Sequence, residues 1–527
     1  MHLAFLIFLL SAFLPTITTA PTINTPRIRY IALLHPLHHL PPPLRTCANH
    51  SKTYTSLLSS LSSPSIKKFA IGGPLCVDEA DVSVAAVENN KNRRSAAQGF
   101  VFDADEGDLK NVLGSGIVSG VERDEVVWVG DVEGAEIKRG RRDGGNWRWS
   151  ESSSVGGTDT AWSGSGSGTQ GPDGQARNEV PSQQLCDCCN GETEQPNPEN
   201  WALRRIPTRT LPLVPTYTYP PTAGSGIKVY VLDSGINPIA SEFDDRVTTG
   251  LNTVEAEGNE DLKGHGTFVA SLAGGRRFGV AKRVGLVSVK VFDKTGTGTT
   301  SDLIRGIEYV VQEFNRTKEN SIINISGTQV SSRTLNLVVN GAVSFGVPVF
   351  VSASHTPAPF QHPSPLLRSS NTPLPCPKRS TDACEYSPPS AASALTIAST
   401  NASDYVSPFS NTGRCIDFFA PGENLTAMWG NGTVQTKSGT SFASPVAAGV
   451  MALFWGEEKG LDGKGVTDLV GRNLTEGVVR GIGFFDGARN ALVWSPGRGC
   501  ADCNEQQGPQ NLVERLEGVQ QNNQNGF

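Results

Sequence analysis

The chain has 527 residues, enough for more than one domain, and 37% of them are hydrophobic, as expected of a globular core. Its net charge of −6 is mild, and no basic stripe with interleaved aromatic residues occurs along it. Composition and charge therefore argue against a nucleic-acid partner.

The first 20 residues, MHLAFLIFLLSAFLPTITTA, have an apolar stretch of secretory-signal length and end in small residues. We expect a signal peptide over residues 1–20. A membrane span is disfavoured because Pro15 and polar threonines follow the apolar stretch at once, and no later segment is apolar for long enough to cross a bilayer. The expectation is a secreted, extracellular protein without membrane contact after signal removal.

Ten cysteines also suit an oxidising compartment and predict disulfide bonds. Cys376 and Cys384 are close enough in sequence to close a small loop, whereas the partners of the other cysteines cannot be deduced. The spacings CDCC at 186–189 and CADC at 500–503 are a weaker indication of zinc, because no histidine pair accompanies them.

Sequons for N-glycosylation predict a glycoprotein, and glycans together with solubility favour a monomer. We expect Asn324 to be an exception, because it lies in SIINIS, a predicted buried strand with no room for a glycan. The sequons are at Asn49, Asn315, Asn324, Asn401, Asn424, Asn431 and Asn473.

The chain divides into segments of different composition. Residues 21–133 predict a small α+β domain, with a strand at 29–34 and helical stretches near 54–62 and 105–114. Residues 134–199 are rich in Ser, Gly and acidic residues and predict a linker. Residues 200–498 predict a second domain, and the Gln/Asn-rich tail at 499–527 is expected to be disordered.

The second domain alternates strands with helices. Short apolar runs with β-branched residues occur at 228–233, 286–292, 321–326 and 347–353, and periodic helices at 301–315 and 332–345. This alternation predicts an α/β fold built on a doubly wound parallel sheet, covered on both faces.

Three polar side chains stand at the ends of such elements. VYVLDSGI puts Asp233 at the carboxyl end of a strand, GHGTFVASLAGG puts His265 at a helix start, and GTSFASPVAAGVMALF puts Ser441 at a helix N-terminus. Singly, each has a purely structural explanation: Asp233 as a cap, His265 as a core histidine and Ser441 as part of a common turn. Together they can form a nucleophilic triad in which Ser441 attacks, His265 moves the proton and Asp233 orients the ring.

The motifs DSG, HGT and GTSxASP, in this order on this α/β pattern, resemble the subtilisin-like serine proteases, and among them the secreted proteinase K-like enzymes. The resemblance extends from Trp201 to about Trp494 and implies a serine-type endopeptidase that needs no cofactor for its chemistry. The segment from 99 to 131 resembles the end of the inhibitory propeptide of these enzymes, which implies that residues 21–133 are an intramolecular inhibitor.

Two further segments carry implied roles. KVFDKTGTGTTSDLIRGIEYV resembles the family's substrate edge, where Gly296, Thr297 and Gly298 would pair with an extended protein or peptide substrate. SPFSNTGRCIDFFAPG places Asp417 where the proteinase K-like enzymes have a calcium-binding acid. A structural calcium ion at Asp417 and a loop acid satisfied by backbone amides remain equal alternatives.

The sequence departs from the family at the oxyanion position. Counted without gaps from SIINIS, Ser354 and His355 stand where the family has Gly-Asn, whose asparagine donates a hydrogen bond to the oxyanion. A neutral imidazole has one N–H and could replace this donor in the right tautomer. If it cannot reach, turnover falls by about 10²–10³.

The walls of the primary specificity pocket also differ from the family. Ser354 adds a side chain where the family has glycine, so we expect a narrowed pocket and do not carry over the family's usual preference for large residues. The residues that this resemblance assigns to the pocket are Ser326, Gly327, Ser352, Ala353 and Ser354, with Thr328 and Gln329 in place of Gly-Gly.

A proline-rich stretch at 356–384 is longer than the family's loop. It is either a genuine insertion, which could supply a substitute donor such as Asn371, or a mis-joined stretch of sequence.

These observations predict a secreted serine endopeptidase made as a preproprotein. Its activating cleavage would lie near Asp131, at Arg141-Arg142 or before Trp201. The alternative is a pseudoprotease of the same fold, which binds peptides but is impaired because His355 replaces the oxyanion asparagine. The intact triad favours the enzyme, and the altered donor favours the alternative.

Overall fold

The computed structural model of the chain describes residues 28–34, 47–61, 66–71, 97–129, 193–355, 382–483 and 487–497. The predicted signal peptide, most of the predicted linker, Asn371 with its loop, and the predicted tail lie outside the described residues. Among the described residues, no helix is both long and apolar enough to span a membrane.

The N-terminal unit is a four-stranded sheet with two helices, in the order β2-β3-β1-β4. The predicted strand at 29–34 and helices near 54–62 and 105–114 are present, although the first helix begins earlier, at Cys47. The elements are β1 (Ile28–Leu34), α1 (Cys47–Ser60), β2 (Lys67–Ile71), β3 (Ala97–Ala104), α2 (Glu106–Gly114), β4 (Val118–Arg123) and β5 (Val126–Val129).

The second unit contains a nine-stranded sheet. Its elements in chain order are β6 (Thr193–Pro196), α3 (Ala202–Arg205), β7 (Thr216–Tyr219), β8 (Ile227–Asp233), α4 (Ala240–Phe243), β9 (Val247–Asn252), α5 (His265–Gly274), β10 (Gly285–Lys290), β11 (Thr297–Thr299), α6 (Thr300–Thr317), β12 (Asn320–Ile325), β13 (Gly327–Val330), α7 (Arg333–Phe345), β14 (Val349–Ser352), β15 (Tyr386–Ser387), β16 (Leu395–Thr400), β17 (Phe418–Pro421), β18 (Leu425–Met428), β19 (Val434–Lys437), α8 (Thr440–Glu457), α9 (Gly463–Arg472), β20 (Thr475–Glu476) and β21 (Ala491–Leu492).

The strand order of the large sheet is β20-β21-β17-β16-β14-β12-β8-β10-β9. All its pairs are parallel except β20 with β21. The prediction of a doubly wound α/β fold is therefore confirmed.

Central strand β8 shows why helices cover both faces. Val229 and Val231 belong to the core that includes α5 and α8, whereas Tyr230 and Leu232 belong to the core that includes α6 and α7. Because successive side chains of a strand point to opposite faces, a continuous apolar run such as IKVYVLD requires cover on both sides.

Two details differ from the sequence predictions. The predicted linker ends earlier than residue 199, because Thr193–Pro196 form β6, which pairs antiparallel with β7. The suggested Cys376–Cys384 loop is wrong, because Cys384 pairs with Cys415, with Cα atoms 5.4 Å apart. A hydrogen bond from the Ala383 N–H to the Thr412 carbonyl (2.8 Å) brings the two cysteine segments together.

The buried-strand prediction for SIINIS holds. Asn324 is fully buried, donates to Ser326 Oγ (2.9 Å) and accepts from Ser444 Oγ (2.7 Å). A glycan has no room there.

Candidate active site

Asp233 and His265 lie side by side at the carboxyl edge of the large sheet. Asp233 is the last residue of β8 and His265 the first of α5, and His265 Nδ1 is 2.8 Å from Asp233 Oδ1. Both side chains are fully buried. The Ser234 N–H also donates to Asp233 Oδ1 (2.8 Å), which fixes the carboxylate and, through it, the ring.

Asp261 holds the start of α5 in place and was not identified from the sequence. Its Oδ1 accepts hydrogen bonds from the Gly264 N–H (2.7 Å) and from Ser234 Oγ (2.7 Å). Its Oδ2 accepts from the N–H (2.8 Å) and the hydroxyl (2.6 Å) of Thr267. A carboxylate beside a helix N-terminus is well placed for this role, and here it fixes the turn that carries His265.

Gly264, directly before His265, must be glycine. Its φ is +92°, and a Cβ there would lie 2.1 Å from Trp429 Nε1. The indole of Trp429 thus packs against the turn that leads into His265.

Ser441 is the second residue of α8 and is 1% exposed. Its hydroxyl donates to the Ser326 carbonyl at 3.1 Å, and Ser326 Oγ donates to the Ser441 carbonyl at 2.9 Å. The ring of the next residue, Phe442, has its centroid 5.4 Å from that of His265. The start of α8, which carries Ser441, therefore packs against the His265 ring through Phe442, and the free N–H groups of a helix N-terminus suit a developing negative charge.

His355 lies next to this site. Its Nδ1 is 3.1 Å from the hydroxyl of Thr440, the residue before Ser441, and its ring meets Phe409 edge to face. If the threonine hydroxyl donates to Nδ1, the ring proton is on Nε2, and the imidazole becomes a hydrogen-bond donor on its other side. Thr440, a second residue not identified from the sequence, can thus select the tautomer.

The predicted pocket residues lie in two segments near Ser441. Ser326, Gly327 and Thr328 run from the end of β12 into β13, and Ser352 to Ser354 end β14 and follow it. All are buried. Gly327 has no room for a side chain, because a Cβ there would lie 2.4 Å from the ring of Phe292.

The predicted substrate edge pairs with the chain's own β5. This strand lies antiparallel between β11 and β13, with Gly298 opposite Val127 and Thr328 opposite Trp128. The Val129 N–H also donates to the Gly296 carbonyl at 3.0 Å. The segment around 296–298 thus takes up the chain's own β5 by strand addition.

Asp417 lies away from this edge, at the start of β17. Its Oδ2 accepts a hydrogen bond from the Thr396 N–H at 2.7 Å, and burial raises its pKa to about 6, against the lowering effect of that bond and of Arg489. Calcium requires six to eight oxygen ligands. No cluster of three or more acidic, histidine or cysteine side chains able to hold a metal occurs among the described residues.

Comparisons with known proteins find a matching family and related chains. The model of the Subtilase family matches residues 224–488. The chain is 35% identical to the extracellular serine proteinase of Thermus sp. (strain Rt41A) over 57% of this chain and 67% of that protein. It is also 35% identical to alkaline serine exoprotease A of Vibrio alginolyticus, over 56% of this chain and 50% of that protein. The chain therefore spans only half the length of the Vibrio relative.

A solved structure, that of a cold adapted subtilisin-like serine proteinase, matches 57% of this chain and 98% of its own with 35% identity and a TM-score of 0.49. The matched family segment contains Asp233, His265 and Ser441 together with the walls of the pocket. The chain belongs to the subtilase family of serine proteases.

Proposed function

We propose that the chain is a serine endopeptidase in which Ser441 is the nucleophile, His265 the general base and acid, and Asp233 the residue that orients His265. The observations that support the proposal are the 2.8 Å contact between His265 and Asp233 and the packing of Phe442, the residue after Ser441, against the His265 ring. That arrangement is needed for covalent catalysis by serine.

The reaction follows from these positions. Ser441 Oγ attacks the peptide carbonyl carbon while His265 Nε2 takes the hydroxyl proton, and the imidazolium is stabilised by Asp233. His265 then gives this proton to the leaving amine as the C–N bond breaks, which leaves an acyl-enzyme. Water, deprotonated by His265, hydrolyses the ester and restores Ser441. No cofactor takes part.

The oxyanion is stabilised by the Ser441 N–H and by the Nε2–H of His355. The contact between His355 Nδ1 and the Thr440 hydroxyl supports this assignment, because it holds the ring beside the nucleophile. The second candidate, an impaired peptide-binding pseudoprotease, is favoured by the same substitution, since an imidazole is larger than the carboxamide it replaces.

Residues 21–133 act as an inhibitory propeptide. This role is supported by β5, which occupies the substrate edge, and by two carboxylates that reach the N-termini of peptidase helices. Glu122 accepts from Ser332 Oγ (2.8 Å) and the Thr334 N–H (3.1 Å) at α7. Asp124 accepts from the N–H (2.8 Å) and hydroxyl (2.7 Å) of Ser301 at α6.

The apolar face of the N-terminal sheet supports the same role. Ile31, Leu33, Phe69 and Val101 belong to one core with α6 and α7 of the peptidase domain. Apolar burial on this scale stabilises association. Cleavage near Asp131, at Arg141-Arg142 or before Trp201 would then free the substrate edge.

The remaining assignments rest on the amino-acid sequence. We assign a signal peptide to residues 1–20, secretion of a glycosylated monomer, a linker at 134–192 and protein or peptide substrates. The extracellular Thermus relative supports secretion. For Asp417 we favour the loop acid over the calcium ligand, because its carboxylate already accepts a backbone hydrogen bond.

Hydrolysis of an unfolded protein substrate tests the proposal. Secreted wild-type protein should degrade casein, and Ser441→Ala and Asp233→Asn should lower the rate by at least about 10⁴. Ser344→Ala, which changes an exposed serine of α7, is the control and should retain full activity. A folded wild-type protein that leaves casein intact, but still binds peptides, would establish the pseudoprotease instead.

A further inference from the structure

Two hydroxyl side chains span the pocket beside the nucleophile. Thr328 Oγ1 and Ser354 Oγ are 3.1 Å apart, and the two residues are 5% and 4% exposed. They come from opposite walls, because Thr328 lies in β13 and Ser354 follows β14. The hydrogen bond between them therefore occupies the space between the walls.

The backbone of Ser354 is strained. Its φ is +67°, in the left-handed region that favours glycine and is unfavourable for other residues. Such strain persists where the surroundings enforce it, and it concentrates at ligand-binding sites. Here the Asn411 N–H donates to the Ser354 carbonyl (3.2 Å), and Thr328 engages the hydroxyl. The chain has serine at position 354 although glycine would avoid this backbone strain.

Strand β5 shows which residue of a bound peptide meets this pair. Val129 is opposite Gly327 and Trp128 is opposite Thr328. In this register, the next residue of a bound peptide lies opposite Ser326, whose carbonyl oxygen is 3.1 Å from Ser441 Oγ. That residue therefore presents its carbonyl to the nucleophile. Its side chain lies on the same face as those of Trp128 and Thr328, which are opposite each other in the ladder, so it neighbours the hydroxyl pair.

We infer that the protease cleaves after residues with minimal side chains, glycine or alanine, because the Thr328–Ser354 pair fills the pocket that a larger side chain would need. The inference rests on the proposed function, whose substrate class it specifies. A leucine or phenylalanine could enter only by displacing a buried wall.

Turnover of matched peptides gives the first test. The peptides carry the sequence Val-Val-Trp-Val-Xaa-Asp, as in residues 126–131, with Gly, Ala, Leu or Phe at Xaa. For the secreted protein we expect kcat/KM for Gly and Ala to exceed that for Leu and Phe at least tenfold. T328G/S354G should reduce this ratio at least tenfold, whereas Thr328→Val, which keeps the volume, should preserve it. Equal rates for Phe and Ala in the wild type would overturn the inference.

A second test does not depend on turnover. In the full chain carrying Ser441→Ala, we replace Gly130 by Ala or by Phe and measure amide hydrogen exchange of residues 126–129. Gly130→Phe should accelerate exchange at least tenfold over Gly130→Ala, and T328G/S354G should reverse the effect. Equal protection in both variants would contradict the filled pocket. Absence of peptide hydrolysis with this difference retained would refute the proposed function alone.

Discussion

We expect His355 to determine how well the site stabilises the oxyanion. With Nδ1 held by the Thr440 hydroxyl, the ring can direct Nε2–H toward the oxyanion. We therefore expect His355→Ala to lower kcat by about 10²-fold with little change in KM, the loss typical of one oxyanion donor. His355→Asn should restore kcat to within about tenfold of the wild type.

Steady-state kinetics on a Gly- or Ala-containing peptide measure this effect. If His355→Ala left kcat unchanged while His355→Asn raised it about 100-fold, the imidazole would be no donor, and the natural site would be impaired.

Asp417 gives a pH-dependent contribution to stability. Burial raises its pKa to about 6, above its value of about 4 in the unfolded chain, so the folded state binds the proton more tightly. Its contribution is complete below pH 4 and is lost as pH rises through 6. Between pH 4 and pH 8 this loss should lower the free energy of unfolding by about 1–2 kcal/mol, after allowance for the partial exposure of Asp417. In Asp417→Asn this decrease should be absent.

Urea unfolding of wild type and Asp417→Asn between pH 4 and pH 8 checks this prediction. The same experiment with added calcium separates the two roles of Asp417. If calcium at pH 8 stabilised the wild type and not the variant, Asp417 would be a calcium ligand and the loop-acid assignment would be wrong.

The sequence could predict where Asp233, His265 and Ser441 lie because each one ends or begins a strongly patterned element. Asp261 and Thr440 were missed for a physical reason. Thr440 bonds the His355 ring, and Asp261 bonds Ser234, through tertiary contacts that no local pattern encodes, whereas the bonds of Asp261 to Gly264 and Thr267 are local. For Asp261, its position four residues before His265 was the available signal.

Helices α6 and α7 each receive a carboxylate from the N-terminal unit. Since a lost cap costs about 0.5–2 kcal/mol, replacing both Glu122 and Asp124 by alanine should weaken docking of that unit at least tenfold. Hydrogen exchange of residues 126–129 in the Ser441→Ala chain should accelerate accordingly. Glu125→Ala, an exposed neighbour, is the matched control, and equal exchange in both variants would contradict the capping role.

Strands and helices of the large sheet were predictable because buried parallel strands are continuous apolar runs between periodic helices. The small sheet that joins β11, β5, β13 and β15 was not, since its strands have only two to four residues and come from distant parts of the chain. The resemblance to known propeptides indicated the docking of β5, but its register could come only from the structure. Likewise, Cys384 pairs with Cys415 because a tertiary contact brings their segments together, although Cys376 is nearer in sequence.

In the described residues, the N-terminal α+β unit and the subtilase domain share one apolar core. Strand β5, which follows the N-terminal unit, is inserted between β11 and β13 of the subtilase domain. We propose that this arrangement keeps the chain inhibited until the N-terminal unit is cut free. We expect casein hydrolysis by the purified full chain to begin after a lag that coincides with loss of an N-terminal fragment, as followed by gel electrophoresis. Full activity of the intact chain would contradict inhibition in cis.

Labelling with a serine-directed fluorophosphonate, mapped by mass spectrometry, tests the central claim most directly. The processed wild-type protein should carry a single adduct on Ser441, Ser441→Ala should carry none, and Asp233→Asn should label far more slowly because His265 loses its orientation. An absence of labelling in folded, processed wild-type protein, or an adduct on any other serine, would contradict the assignment of Ser441 as an activated nucleophile.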